Sequence, residues 1–85
     1  MRPNTNEYDT ELRLNGEVIV LDGMSYRGRT VLPEGSDRFA CLERWAKGVA
    51  ETLGEPVTWR ATENGRLAGR GTVQPGPGAQ NRRAL

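Results

Sequence analysis

The 85-residue chain predicts a small α+β domain, an antiparallel sheet in β-β-β-α-β-β order with one amphipathic helix packed on one face. Three observations point there. Asn15-Gly16 and Asp22-Gly23 each separate apolar stretches, residues 36–54 carry an apolar stripe at helical spacing, and residues 56–73 alternate about Asn64-Gly65. Residues 1–9 read as a flexible N-terminal arm, 10–73 as the domain, and 74–85 as a Pro/Gly-rich C-terminal arm.

The first group of strands follows from its two turns. Both dipeptides favour the type I′ turn, in which both central residues take positive φ. A two-residue loop at 15–16 pairs Leu12 with Ile19 and Leu14 with Glu17. A second at 22–23 pairs Leu21 with Met24 and Ile19 with Tyr26. Leu12, Leu14, Ile19, Leu21, Met24 and Tyr26 then share one face, so a three-stranded meander is expected. Glu11, Arg13, Ser25 and Arg27 take the other face, together with Val18 and Val20.

The helix is expected to start at a Ser36 or Asp37 cap and to stop at Gly54 in the left-handed conformation. Phe39, Leu42, Ala46, Val49, Ala50 and Leu53 form its inward stripe, with Arg44, Lys47 and Glu51 opposite. In the last segment, a two-residue loop at Asn64-Gly65 would oppose Trp59 to Arg70 and mix apolar with charged groups. A three-residue loop, Glu63-Asn64-Gly65, pairs Ala61 with Leu67, Trp59 with Gly69 and Val57 with Gly71. Gly69 and Gly71 then make room for the Trp59 indole. Arg60, Arg66 and Arg70 project outward. No helix follows to complete a phosphate loop, so this glycine-rich stretch reads as packing.

Composition narrows the chemistry. There is no histidine, which removes Ser-His, Cys-His and His-metal arrangements. The single cysteine, Cys41, cannot form an intrachain disulfide and fits a reducing, cytoplasmic setting. No secretion leader or membrane span is read from the sequence. Glu7, Asp9 and Glu11 alternate in a way that could hold a hard cation, but they read as a solvated acidic stretch. No catalytic, cofactor-binding or metal-binding residue is expected, and the chain is read as a non-enzyme. About fifteen buried side chains at about 2 kcal/mol each make a thin core that association would help.

The expected function is therefore that of a small interaction module, binding a protein partner or itself. By analogy, accessory, regulatory and assembly proteins, those of phages and mobile elements among them, have this stature. The expected partner-binding residues are a helix stripe, Cys41, Trp45, Gly48 and Thr52, with Trp45 as anchor, and the pair Val18 and Val20 on the sheet's back. The alternative is nucleic-acid binding by Arg60, Arg66 and Arg70 with Arg82 and Arg83 in the tail. Charge gives this modest support. Residues 1–54 carry seven basic and nine acidic groups, whereas residues 55–85 carry five and two.

Overall fold

Three Asn/Asp-Gly dipeptides set the geometry of the sheet. In the computed structural model, which describes residues 5–76, Asn15, Asp22 and Asn64 have φ of 53°, 52° and 52°. The glycine after each has φ of 83°, 78° and 79°. All three are thus two-residue turns of the hairpin kind. They connect β1 (Thr5–Leu14) to β2 (Glu17–Val18), β3 (Val20–Leu21) to β4 (Met24–Ser25), and β6 (Val57–Glu63) to β7 (Arg66–Val73). Between them lie β5 (Arg27–Pro33) and the helix α1 (Ala40–Leu53).

All of these strands except β3 and β4 form one antiparallel sheet. β1 is central: β6 pairs along one edge, and β5 and β2 share the other. β7 pairs with β6, so both hairpin groups belong to one sheet. α1 packs across β6 and β7, burying Leu42, Ala46 and Ala50. Phe39, Val49 and Leu53 pack at the edge of the same core. The expected stripe is the one that is buried, and alanine at its centre lets helix and sheet approach closely.

The meander does not form. Leu14↔Glu17 and Leu21↔Met24 pair as the turns require, but the chain breaks at Ile19 into two short arms. Leu12, Ile19 and Tyr26 close a ring of backbone hydrogen bonds. The Leu12 N–H donates to the Tyr26 carbonyl at 2.9 Å, Ile19 donates to Leu12 at 3.0 Å, and Tyr26 donates to Ile19 at 2.8 Å. The cause is competition for one edge of β1. A meander would lay its second strand there; instead β5 pairs with β1 from Thr5↔Pro33 to Glu11↔Arg27 and brings Leu32 into the core. The longer ladder wins and pushes Val20–Ser25 out as a separate arm. Leu12 and Ile19 are buried as expected, but Met24, at 69% exposed, is not.

β1 also starts earlier than expected. Thr5 to Asp9, read as part of a flexible arm, are strand residues. Tyr8 is buried and meets Phe39 edge-on, with ring centroids 5.3 to 5.4 Å apart along the Tyr8–Phe39–Trp59 cluster. The acidic alternation hid this. Glu7 and Asp9 face outward, and their counter-charge is Arg29 on β5, 2.9 and 3.2 Å away.

The helix start differs too. Neither Ser36 nor Asp37 caps it with a side chain. A turn leads in, the Ala40 N–H reaches the Asp37 carbonyl at 3.0 Å, and Phe39 occupies the N-cap position. The backbone carbonyls of the turn satisfy amides that a side chain would otherwise serve. At the other end, Gly54 is left-handed and donates to Ala50 at 2.7 Å.

The last hairpin does not use the expected three-residue loop, and Arg66 and Leu67 fall on the faces opposite to those expected. The turn has two residues, giving Glu63↔Arg66 and Thr62↔Leu67, and a bulge at Ala68 then sets Ala61↔Gly69, Trp59↔Gly71 and Val57↔Val73, each two residues beyond the expected partner, so that residues 69–73 keep the expected faces. A side chain at Gly71 would place its Cβ 2.8 Å from the Trp59 Nε1, and one at Gly69 would meet the Phe39 ring at 2.5 Å. The two glycines thus clear space for two rings rather than one. Beyond Val73, Gly76 is buried against Glu51 of α1.

Gly48 has no such reason: a Cβ there meets nothing within 4 Å. Gly48→Ala is expected to raise stability by about 0.5–1 kcal/mol, because it removes backbone freedom from the unfolded chain. Urea denaturation of the two proteins measures this.

Candidate interaction surface

α1 packs mainly on β6 and β7, and the sheet is left open around Gly28 of β5. There, the Trp45 ring lies parallel to Tyr26, with 6.0 Å between centroids and 7° between planes. Trp45 is still 37% exposed. Beside this stack runs an open cleft of 360 Å³, floored by Thr10, Gly28 and Thr30 and rimmed by Met24. The Thr10 hydroxyl contacts the Gly28 carbonyl and the Thr30 hydroxyl, both at 3.1 Å. The floor is therefore internally satisfied, and the rim offers mostly apolar surface to a partner.

The other helix residues singled out by sequence lie outside the cleft's lining. Cys41, Gly48 and Thr52 are exposed along α1, and the Thr52 hydroxyl is used on the Gly48 carbonyl at 3.0 Å. The two valines are separated. Val18 is half-buried and pairs with Arg13 in the main sheet, whereas Val20, 58% exposed, lies on the β3–β4 arm. The corner at Ile19 divides them. Sequence reasoning missed Gly28 and Thr30 as cleft residues. Their signal was the period-two alternation of Gly28, Thr30 and Leu32 against Arg27, Arg29 and Val31.

The back of the sheet is charged. One row runs Arg27↔Glu11↔Arg60↔Arg70 across β5, β1, β6 and β7. Glu11 contacts both Arg13 and, at 3.5 Å, Arg60. Arg60 and Arg70 therefore lie side by side, as the alternative reading requires. Arg66 does not join them, because its pairing with Glu63 puts it on the opposite face. Arg82 and Arg83 fall outside the described residues. Arg27 and Arg29, which were not grouped with these arginines in the sequence, belong to the same face.

Among the described residues, no group of three or more His, Cys, Asp or Glu side chains is placed to hold a metal. Glu7, Asp9 and Glu11 face arginines instead. No described helix is long and apolar enough to cross a membrane.

Comparison with protein-family models, curated proteins and solved structures returns no match.

Proposed function

We propose that this protein is a non-catalytic interaction module that binds a protein partner or itself through the cleft beside Trp45. The observation that carries this reading is the open corner of the sheet: an exposed indole stacked on Tyr26, flanked by Met24 and next to the outer strand β5. A large aromatic anchor with an adaptable methionine at its rim suits partner docking. The lack of histidine and the pairing of the β1 carboxylates with arginines support a non-enzyme. A reducing, cytoplasmic setting suits the exposed thiol of Cys41.

The test is association of the wild-type chain compared with Trp45→Ala and Met24→Lys, measured by sedimentation and by crosslinking in the cells that make the protein. Both side chains are largely outside the core, so the variants are expected to keep the wild-type circular dichroism while losing association at least tenfold. A wild-type chain that neither self-associates nor crosslinks to any protein defeats the reading.

A second reading, nucleic-acid binding, is favoured by the placing of Arg27, Arg60 and Arg70 in one row. Against it stand Glu7, Asp9 and Glu11 on the same face, which occupy Arg29, Arg13 and Arg60. Retention of labelled single- or double-stranded oligonucleotides at low salt, lost steeply as salt rises, would support it; absence of retention ends it.

A further inference from the structure

We propose that the partner is a second copy of this chain, joined by two-fold antiparallel pairing of β5 with itself centred on Thr30. This rests on the interaction-module reading and names its occupant.

The phase of β5 carries the argument. Leu12 donates to Tyr26 in the same register that pairs Glu11 with Arg27. Antiparallel ladders alternate hydrogen-bonded with non-bonded pairs. Gly28, Thr30 and Leu32 therefore direct their backbone groups toward β1, while Arg27, Arg29 and Val31 direct theirs away, along the outer edge. Pro33 is in the same outward phase, where a missing N–H breaks nothing in the sheet. Among the described residues β5 pairs with β1 alone.

The two outer edges of the sheet differ. β7 is interrupted by the bulge at Ala68, a device that discourages pairing. β5 pairs with β1 without interruption from Arg27 to Pro33. Its Arg29, which would otherwise repel a second copy, is held by Glu7 and Asp9.

Charge and hydrogen bonding together choose the register. Same-face pairing about a two-fold axis allows only registers centred on a residue. Centring on Arg29 sets Arg29 against itself. Centring on Val31 opposes Arg29 to Pro33, which has no N–H to return. Centring on Thr30 opposes Arg29 to Val31 of the second copy, so these residues exchange both backbone bonds on each side of the axis. Arg27 then donates to Pro33 of the second copy, and the two threonines meet as a Thr–Thr pair. Val31, 60% exposed in one chain, gains cover. Thr30 also lines the cleft beside Trp45, so the two clefts become continuous across the axis.

Four chains test this by sedimentation equilibrium and oxidative crosslinking: wild type, Val31→Pro, and Thr30→Cys and Val31→Cys, these two with Cys41 replaced by serine. The wild type is expected to dimerise. Val31→Pro removes an outward N–H only, so it is expected to keep the wild-type circular dichroism and weaken dimerisation at least tenfold. Thr30→Cys is expected to give a disulfide-linked dimer on mild oxidation, whereas Val31→Cys in the same background, facing Arg29 across the axis, gives little. The cysteine result holds whether or not the proline variant folds. Equal crosslinking from both cysteines, or a wild-type chain that stays monomeric at its highest soluble concentration, overturns the proposal. A monomer that still crosslinks to another protein in a Trp45-dependent manner defeats only the two-fold pairing; a monomer that binds nothing defeats the interaction reading as well.

Discussion

Trp59→Ala is expected to cost about 3–5 kcal/mol, the range for removing a buried large aromatic side chain. The indole is 6% exposed, lies 5.3 Å from the Phe39 ring at 42°, and faces Gly71 closely enough that no Cβ fits between them. It also sits opposite Leu12 on β1, so it contributes to the contacts holding the two halves of the sheet under the helix. Little can refill the space, because the backbone of β7 already lies against the ring. A chain of this length has about 4–12 kcal/mol of stability in all, and a loss this large lowers the melting midpoint by roughly 15–30 °C. Thermal and urea denaturation followed by circular dichroism give the number. A cost below about 1 kcal/mol would contradict the placing of this ring in the core.

Residues that act through local rules were legible in the sequence. Asn15-Gly16 and Asp22-Gly23 dictate their turn type whatever surrounds them, and the first pairs of each hairpin follow. The inward stripe of α1 and the left-handed Gly54 are likewise short-range. So is the face assignment of Trp59 against Arg60 and Arg70, since a three-residue loop and a two-residue loop with one bulge share the same parity. What the sequence concealed depends on partners far along the chain. Glu7 and Asp9 looked like solvated lead-in because Arg29, which neutralises them, comes 20 or more positions later. Leu12, Ile19 and Tyr26 satisfy the meander and the three-way ring equally well by spacing. Only the competing ladder of β5 decides between them. The same ladder determines the candidate site, since it brings Gly28 and Thr30 beneath Trp45 and sends Val18 and Val20 to different surfaces.

That ring of three residues makes Leu12→Ala the other substitution with a large expected effect, about 2–5 kcal/mol. Leu12 is 0% exposed, and its backbone donates to Tyr26 while accepting from Ile19. Its side chain fills the space where β1 passes from pairing with β5 to pairing with β2. Truncation leaves a void beneath the corner, and no neighbouring ladder is free to close it. The loss is therefore expected to be local as well as global. The amide protons of Ile19 and Tyr26 should exchange faster with solvent than those of β6 under conditions where the chain remains folded. Because Tyr26 also supports the Trp45 ring, loosening the corner should weaken association in step with the exchange rates at Tyr26. Amide exchange measured alongside sedimentation distinguishes this from simple unfolding, in which every strand loses protection together. Unchanged protection at Ile19 and Tyr26 would mean that the two turns hold the arms unaided, and that the ring of hydrogen bonds contributes little to the placing of the cleft.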